Sequence, residues 1–222
     1  MSVSEAVEKR ISVRAFLQDP VPGEILRALL QKAARAPSGG NLQPWIVHAL
    51  AGEKLTEFKS LLAARQAAGE RETPEYDIYP PALWDPYRRY RYECGEDLYG
   101  AIGIPREDKA ARLQQMARNF DFFGAPVGLF FFLDRRMGPP QWSDLGMYMQ
   151  TVMLLAVEAG LDSCAQEIWA HWPKLVAAFF GVPDTQMLFA GMSLGYRDPD
   201  HPINGLRTKR APLHAFAHFH GC

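Results

Sequence analysis

Arg10-Ile11-Ser12-Val13-Arg14 alternates two guanidinium groups and a hydroxyl with apolar residues. In an extended segment, alternate side chains point to the same side. Arg10, Ser12 and Arg14 would then converge on one spot. Bidentate, charge-assisted bonds from arginine plus one neutral donor suit a phosphate. Taken alone, the run is a common, solvated basic strand start. Pro37-Ser38-Gly39-Gly40-Asn41-Leu42-Gln43-Pro44-Trp45 is a second candidate. Its paired glycines let backbone approach a flat ligand closely, and the Asn41 and Gln43 amides both donate and accept. Alone, it is also an ordinary helix-to-strand turn. Arg207-Thr208-Lys209-Arg210 follows a Pro/Gly-rich loop, and by itself is a solvated charge run.

The elements that must position these residues follow from periodicity. Ser2-Val3-Ser4-Glu5 fits a capping box and predicts a short helix to about Lys9. Ile25, Leu26, Leu29, Leu30 and Ala33 recur at helical spacing after Pro22-Gly23. That helix should stop before Pro37, because a proline pushes its predecessor out of the helical region. Trp45–Leu50 reads as a strand, 53–68 as a helix, and Arg106–Phe123 as another helix. Val127–Asp134 is near-continuously apolar, which suits a strand buried on both faces. Trp142–Ala159 is a long apolar helix for the core or a subunit interface, Pro173–Phe180 a helix, and Met187–Tyr196 a strand. Glu70–Glu93, with its prolines and many Tyr and Arg residues, is expected to be an excursion from the core. About four scattered strands among helices argue for an α+β fold in a single domain over residues 1–222.

Other chemistry is weakly supported. Gly191-Met192-Ser193-Leu194-Gly195 matches a nucleophile elbow, with Asp198 or Asp200 and His214 following in hydrolase order. The elbow needs a strand–turn–helix, and Tyr196-Arg197-Asp198-Pro199 cannot begin a long helix. His214, His218 and His220 crowd the tail, but no cysteine pair accompanies them, so a solvated tail is expected rather than a zinc site. Neither a G-x-G-x-x-G after a strand nor a Walker A run occurs. A net charge of −1, from 24 basic and 25 acidic residues, gives no reason to expect nucleic acid or a membrane surface. Cys94, Cys164 and Cys222 are too scattered for a disulfide framework. Without an apolar leader or a run near the ~20 residues that span a bilayer, a cytoplasmic protein is expected.

The three basic and glycine-rich runs stand in order with Phe123-Gly124-Ala125-Pro126-Val127, Gln141-Trp142-Ser143-Asp144-Leu145-Gly146 and Gly191-Met192-Ser193-Leu194-Gly195-Tyr196. This ordered set resembles the nitroreductase family of FMN-dependent oxidoreductases over nearly the whole chain, least at Glu70–Glu93. The resemblance implies an α+β nitroreductase-like fold with a central, mostly antiparallel sheet flanked by helices. It also implies a homodimer, with the C-terminal tail wrapping the partner subunit. Arg10, Ser12 and Arg14 would grip the FMN phosphate and flank the pyrimidine side of the ring, with Arg207 and Arg210 completing the grip. Pro37, Ser38, Gly39 and Asn41 would reach the flavin from the other subunit. Ala165-Gln166-Glu167 would lie beside the isoalloxazine, with a backbone N–H near N5. No catalytic side chain is expected, because the flavin carries the hydride chemistry. NADH or NADPH would bind transiently, and nitroaromatics, quinones or similar flat acceptors would be reduced by ping-pong turnover. A flavin store or sensor, or an enzyme that consumes flavin, are alternatives on the same fold. Tyr87 and Arg88, with Arg89 and Tyr90, are assigned to the acceptor side of the pocket, where arginine suits a carboxylate or nitro group. An exposed lid with no specific role is the alternative there.

Overall fold

The apolar run at 127–134 forms the centre of the molecule. The computed structural model describes residues 1–221, so Cys222 lies outside the described residues. Four strands, β1 (Ile46–Ala51), β2 (Val127–Asp134), β3 (Asp162–Gln166) and β4 (Gln186–Gly195), pair antiparallel in the order β1-β2-β4-β3. Helices cover both faces, and this explains why β2 is apolar at successive positions rather than at alternate ones. Phe130 and Phe132 face a core built with Phe58 and Leu62 of α3 (Gly52–Ala67) and Leu175 and Val176 of α7 (Pro173–Phe180). Leu129, Phe131 and Leu133 face the opposite core. Its other members include Leu29 and Ala33 of α2 (Gly23–Ala33) and Leu145, Tyr148 and Val152 of α6 (Pro139–Glu158). The predicted capping box starts α1 (Val3–Lys9): Glu5 N–H donates to Ser2 Oγ, and Ser2 N–H to the Glu5 carboxylate.

Close approach of aromatic rings to the sheet dictates two glycines. The Trp169 indole lies against Gly191, where a Cβ would overlap the ring. At Gly128 a Cβ would stand 2.6 Å from the Phe122 ring. Trp169 and Phe122 stack at 4.7 Å and meet Phe130 edge-on. Gly191-Met192-Ser193-Leu194-Gly195 is therefore straight strand, with Ser193 fully buried. Its glycines serve packing, not a turn.

Several boundaries differ from the sequence expectation. The helix expected over 106–123 is only α5 (Lys109–Ala117), followed by tight turns over Arg118–Gly124. Phe122 and Phe123 take positive φ there, 52° and 56°. Burial of both rings in the core outweighs local preference. Glu70–Glu93 is not all excursion: residues from Tyr87 onward form α4 (Tyr87–Ala101). No residue of α4 is fully buried, so the apolar periodicity that betrays a helix is missing. Leu161–Ile168 contains the edge strand β3, and α6 begins three residues before Trp142, at Pro139.

The stretch before α4 is tied down rather than free. Glu72 accepts from the backbone N–H groups of Lys174 (2.7 Å) and Leu175 (3.0 Å), capping α7 from a distant part of the chain. Arg135 forks onto Glu75 at 3.0 and 3.2 Å. The Tyr76 hydroxyl donates to the Phe189 carbonyl while its ring stacks on Phe189. α7 has no capping side chain of its own. Glu72→Ala should therefore cost about 1 kcal/mol and lower Tm by about 2–4 °C for a chain this long. Calorimetry showing an unchanged Tm would mean that water caps α7 as well as the carboxylate does. Among the described residues no helix is long and apolar enough to cross a membrane.

Candidate functional site

Alternation in the N-terminal segment is as the sequence predicts. Ile11, Val13 and Ala15 are buried, whereas Arg10, Ser12 and Arg14 stay partly exposed on the other side. The segment lies along the edge strand β3. Ser12 bridges Ser163 in parallel, and Val13 N–H donates to the Ser163 carbonyl at 3.1 Å. The chain after β4 clamps it from the other side. Leu17 N–H donates to the Tyr196 carbonyl (2.8 Å) and Asp198 N–H to the Ala15 carbonyl (3.0 Å). Arg197 forks onto Asp162 at 2.9 and 2.5 Å, and that carboxylate raises the Arg197 pKa.

Asn204, which sequence reasoning missed, joins these pieces. It is buried, accepts from Arg14 N–H at 2.9 Å, and donates through Nδ2 to the Ala15 (2.8 Å) and Asp198 (2.9 Å) carbonyls. Within Pro202-Ile203-Asn204-Gly205 it looks like a plain turn residue. Nothing local signals its long-range bonds.

The chain from 204 onward brings the late arginines to the early ones. Arg207 donates to the Glu8 carbonyl at 2.8 Å, at the end of α1. Burial chiefly, and then the positive charges of Arg210 and Arg207, lower the Arg10 pKa, so the three guanidinium groups share one field. Lys209 diverges and pairs with Asp97 of α4 at 3.3 Å. Arg210 donates to Thr208 Oγ1 (2.7 Å) and to the Lys209 carbonyl (2.9 Å). Among the described residues, none of Arg10, Arg14, Arg207 and Arg210 pairs with a carboxylate. Four cations left without counter-charge, with the Ser12 hydroxyl among them, are a donor set that fits a phosphate. Cys164 is buried beneath them. Burial raises its thiol pKa, and Arg14, Ser12 and Arg10 pull it part of the way back.

The glycine-rich loop is anchored elsewhere. A short turn spans Gly39–Asn41, and Gly39 N–H donates to both carboxylate oxygens of the buried Asp144 on α6, each at 3.2 Å. Ser38 Oγ accepts from Gln43 N–H at 3.0 Å, and Gln43 Nε2 donates to the Asn41 carbonyl at 3.2 Å. Pro37, Gly39 and Asn41 are exposed and Ser38 is partly so. Within one chain this loop shares no hydrogen bond with the arginine cluster among the described residues.

The Gln166 side chain is spent in the core. Its Oε1 accepts from Ser193 Oγ (2.8 Å) and Trp169 Nε1 (3.3 Å), and its Nε2 donates to the Asn119 carbonyl (2.7 Å). Only its backbone is left to face a ligand. Glu167 is exposed and lies beside the Tyr79 hydroxyl. Tyr87 lines an open, mostly apolar hollow of about 420 Å³ together with Tyr79, Pro80, Leu83, Trp84 and Arg91. Arg88 turns instead to Asp85 at 3.2 Å, so the structure places Arg91 rather than Arg88 on this wall. Tyr87 and Arg91 are four apart on one helix face, a spacing hidden while the segment reads as irregular. His214, His218 and His220 lie exposed along the tail.

Known proteins share this architecture from end to end. The sequence profile of the nitroreductase family matches residues 7–196. The 4-nitrobenzoate reductase of Pseudomonas putida is 37% identical over 215 residues, 97% of this chain and 94% of that protein. The nitrobenzene nitroreductase of Ectopseudomonas oleovorans is 35% identical over 218 residues, 98% of this chain and 96% of that protein. The crystal structure of the FMN- and NADPH-dependent nitroreductase NfnB from Sphigopyxis sp. strain HMH superimposes with a TM-score of 0.96. It is 46% identical and covers all of both chains. Taken with the ordered motifs and the sheet they build, these likenesses show that the chain belongs to the nitroreductase family.

Proposed function

We propose that this chain is an FMN-dependent oxidoreductase that uses NADPH or NADH to reduce nitroaromatics, quinones or similar flat acceptors by alternating turnover in one pocket. The observation that carries this reading is the convergence of Arg10 with Arg207 and Arg210, from opposite ends of the chain and without a carboxylate partner, with Arg14 beside Arg10 over Cys164. When bound, FMN supplies hydride transfer between a nicotinamide and the acceptor. The protein's part is positioning and charge. Arg10, Ser12, Arg14, Arg207 and Arg210 hold the phosphate, and the cations nearest the ring favour its reduced, more negative form. The backbone of Gln166 and Glu167 faces the ring edge, and Tyr87 stands on the acceptor side, with Arg88 behind it on α4. The whole chain acts as one FMN-binding domain, in the cytoplasm. Purified protein loaded with FMN should be yellow. Without air it should oxidise about one equivalent of NADPH per FMN, and turn over continuously only when nitrobenzoate or menadione is added. Protein that stays colourless and gains no flavin spectrum on adding FMN would overturn the reading.

The enzyme works as a homodimer. Val3 and Val7 of α1, Met147 of α6, and Leu213, Phe216 and Phe219 of the tail are all exposed. Phe216 and Phe219 are 66% and 63% exposed, far from the burial that large aromatic rings usually reach. A second subunit that covers these side chains also brings Pro37, Ser38, Gly39 and Asn41 to its partner's flavin, where one chain alone leaves them apart from the arginines. The tail wraps that second subunit. Sedimentation should give twice the 25.0 kDa chain mass. A flavin-loaded monomer would rule the arrangement out.

A further inference from the structure

The hollow beside α4 has apolar aromatic walls and one cation, Arg91. Tyr79, Pro80, Leu83 and Trp84 come from the stretch anchored by Glu72, Glu75 and Tyr76, so this wall is fixed at its base. α4 supplies Tyr87 and, one turn later, Arg91. The Arg91 guanidinium carbon lies 4.4 Å from the Tyr79 ring centroid. A guanidinium stacked on a ring keeps its N–H donors in its own plane, at its edge. Arg91 pairs with no carboxylate among the described residues, whereas Arg88 is engaged by Asp85. A volume of about 420 Å³ admits a substituted benzene ring. Tyr79 carries Arg91 over its ring, and its hydroxyl meets both Glu167 and Arg91: burial and Glu167 raise the phenol pKa, and Arg91 pulls it part of the way back.

We propose that this hollow is a subsite for an aromatic carboxylate, with Arg91 forking onto the carboxylate and Tyr79, Trp84 and Tyr87 holding the ring. The inference rests on the reductase reading above and names the acceptor class for the same pocket. Arg91 is a specificity residue: it binds the charge and takes no part in electron transfer.

The test compares 4-nitrobenzoate with nitrobenzene on the FMN-loaded enzyme with NADPH. Arg91→Gln should raise KM for 4-nitrobenzoate by about 10- to 100-fold, the worth of one charge-assisted fork. It should leave nitrobenzene kcat/KM within about twofold, and the KM for NADPH unchanged, because neither carries the arene carboxylate. Arg91→Lys, which keeps the charge but loses the fork, should fall between, and it carries the test if the glutamine variant folds poorly. Calorimetric titration with benzoate, which is not reduced, should show the same loss of affinity in each variant. Equal losses for both acceptors, unchanged benzoate affinity, or a rise confined to the KM for NADPH would overturn the subsite. A wild-type protein that binds benzoate through Arg91 but reduces neither acceptor would overturn the reductase reading and leave the subsite standing.

Discussion

Arg10→Ala combined with Arg207→Ala is expected to give a protein that purifies without colour and binds FMN roughly 10²- to 10⁴-fold more weakly. Each hydrogen bond to a charged group contributes about 1.5–3 kcal/mol, and each 1.4 kcal/mol is about tenfold in affinity. Removal of two such cations from one phosphate therefore compounds. The apo fold should hardly change. Burial chiefly, and then the charges of Arg210 and Arg207, lower the Arg10 pKa, so removal of Arg10 and Arg207 relieves repulsion. Against that, Arg207 gives up its bond to the Glu8 carbonyl, an exposed contact of at most about 1 kcal/mol. Fluorescence titration of the apo protein with FMN and with riboflavin separates the possible roles. Riboflavin lacks the phosphate, so its affinity should fall much less than that of FMN. Added salt should weaken FMN binding to the wild type more steeply than to the variant. Equal losses for FMN and riboflavin would show that these arginines support the ring or the fold and not the phosphate.

The sequence shows a residue well wherever one periodicity dominates its surroundings. Arg10 to Ala15 alternates because one side packs on Cys164 and the Phe-rich core while the other faces the arginine cluster. The continuous run of β2 is legible because both faces of a central strand are covered. The start of α1 is legible because a capping box is a purely local device. α4 is hidden for the opposite reason. It is held by the Arg112–Glu96 fork at 2.6 and 3.2 Å and by Arg112 stacked 4.3 Å from the Tyr99 ring, and not by a buried stripe. Its Tyr and Arg residues therefore carry no helical pattern in hydrophobicity, and Arg91 could not be placed opposite Tyr79. Gln166 was legible as a neighbour of the site but not as a core residue. Its partners Asn119, Ser193 and Trp169 come together only when β3 pairs with β4. Asp144 shows the same limit: a helix residue in sequence, it holds Gly39 more than a hundred positions away.

Asn204 is the extreme case, and its removal should be the most destabilising change in the site. Asn204→Leu keeps roughly the side-chain volume and takes away the side-chain partner of Arg14 N–H and of the Asp198 carbonyl, while the Ala15 carbonyl keeps its bond from Asp198 N–H. Each unsatisfied buried group costs about 1–3 kcal/mol. A total of about 2–6 kcal/mol for the two groups is a large share of the roughly 5–15 kcal/mol that holds a domain together. The expected fall in Tm is about 4–24 °C. Asn204→Asp tests the same bonds by charge. The carboxylate can still accept from Arg14 N–H, but when ionised it faces two carbonyls it cannot donate to. Burial against those carbonyls raises its folded-state pKa above the unfolded value of about 3.9. The protonated form can donate to one carbonyl, so its contribution is present below about pH 4 and is lost as pH rises through the raised folded value. Relative to wild type, this variant should lose stability between about pH 4 and pH 7. FMN affinity should fall in step, because Arg14 is then held by less of its clamp. Identical pH profiles and Tm values for wild type and both variants would show that the crossing of 14–15 with 198 stands on its backbone bonds alone.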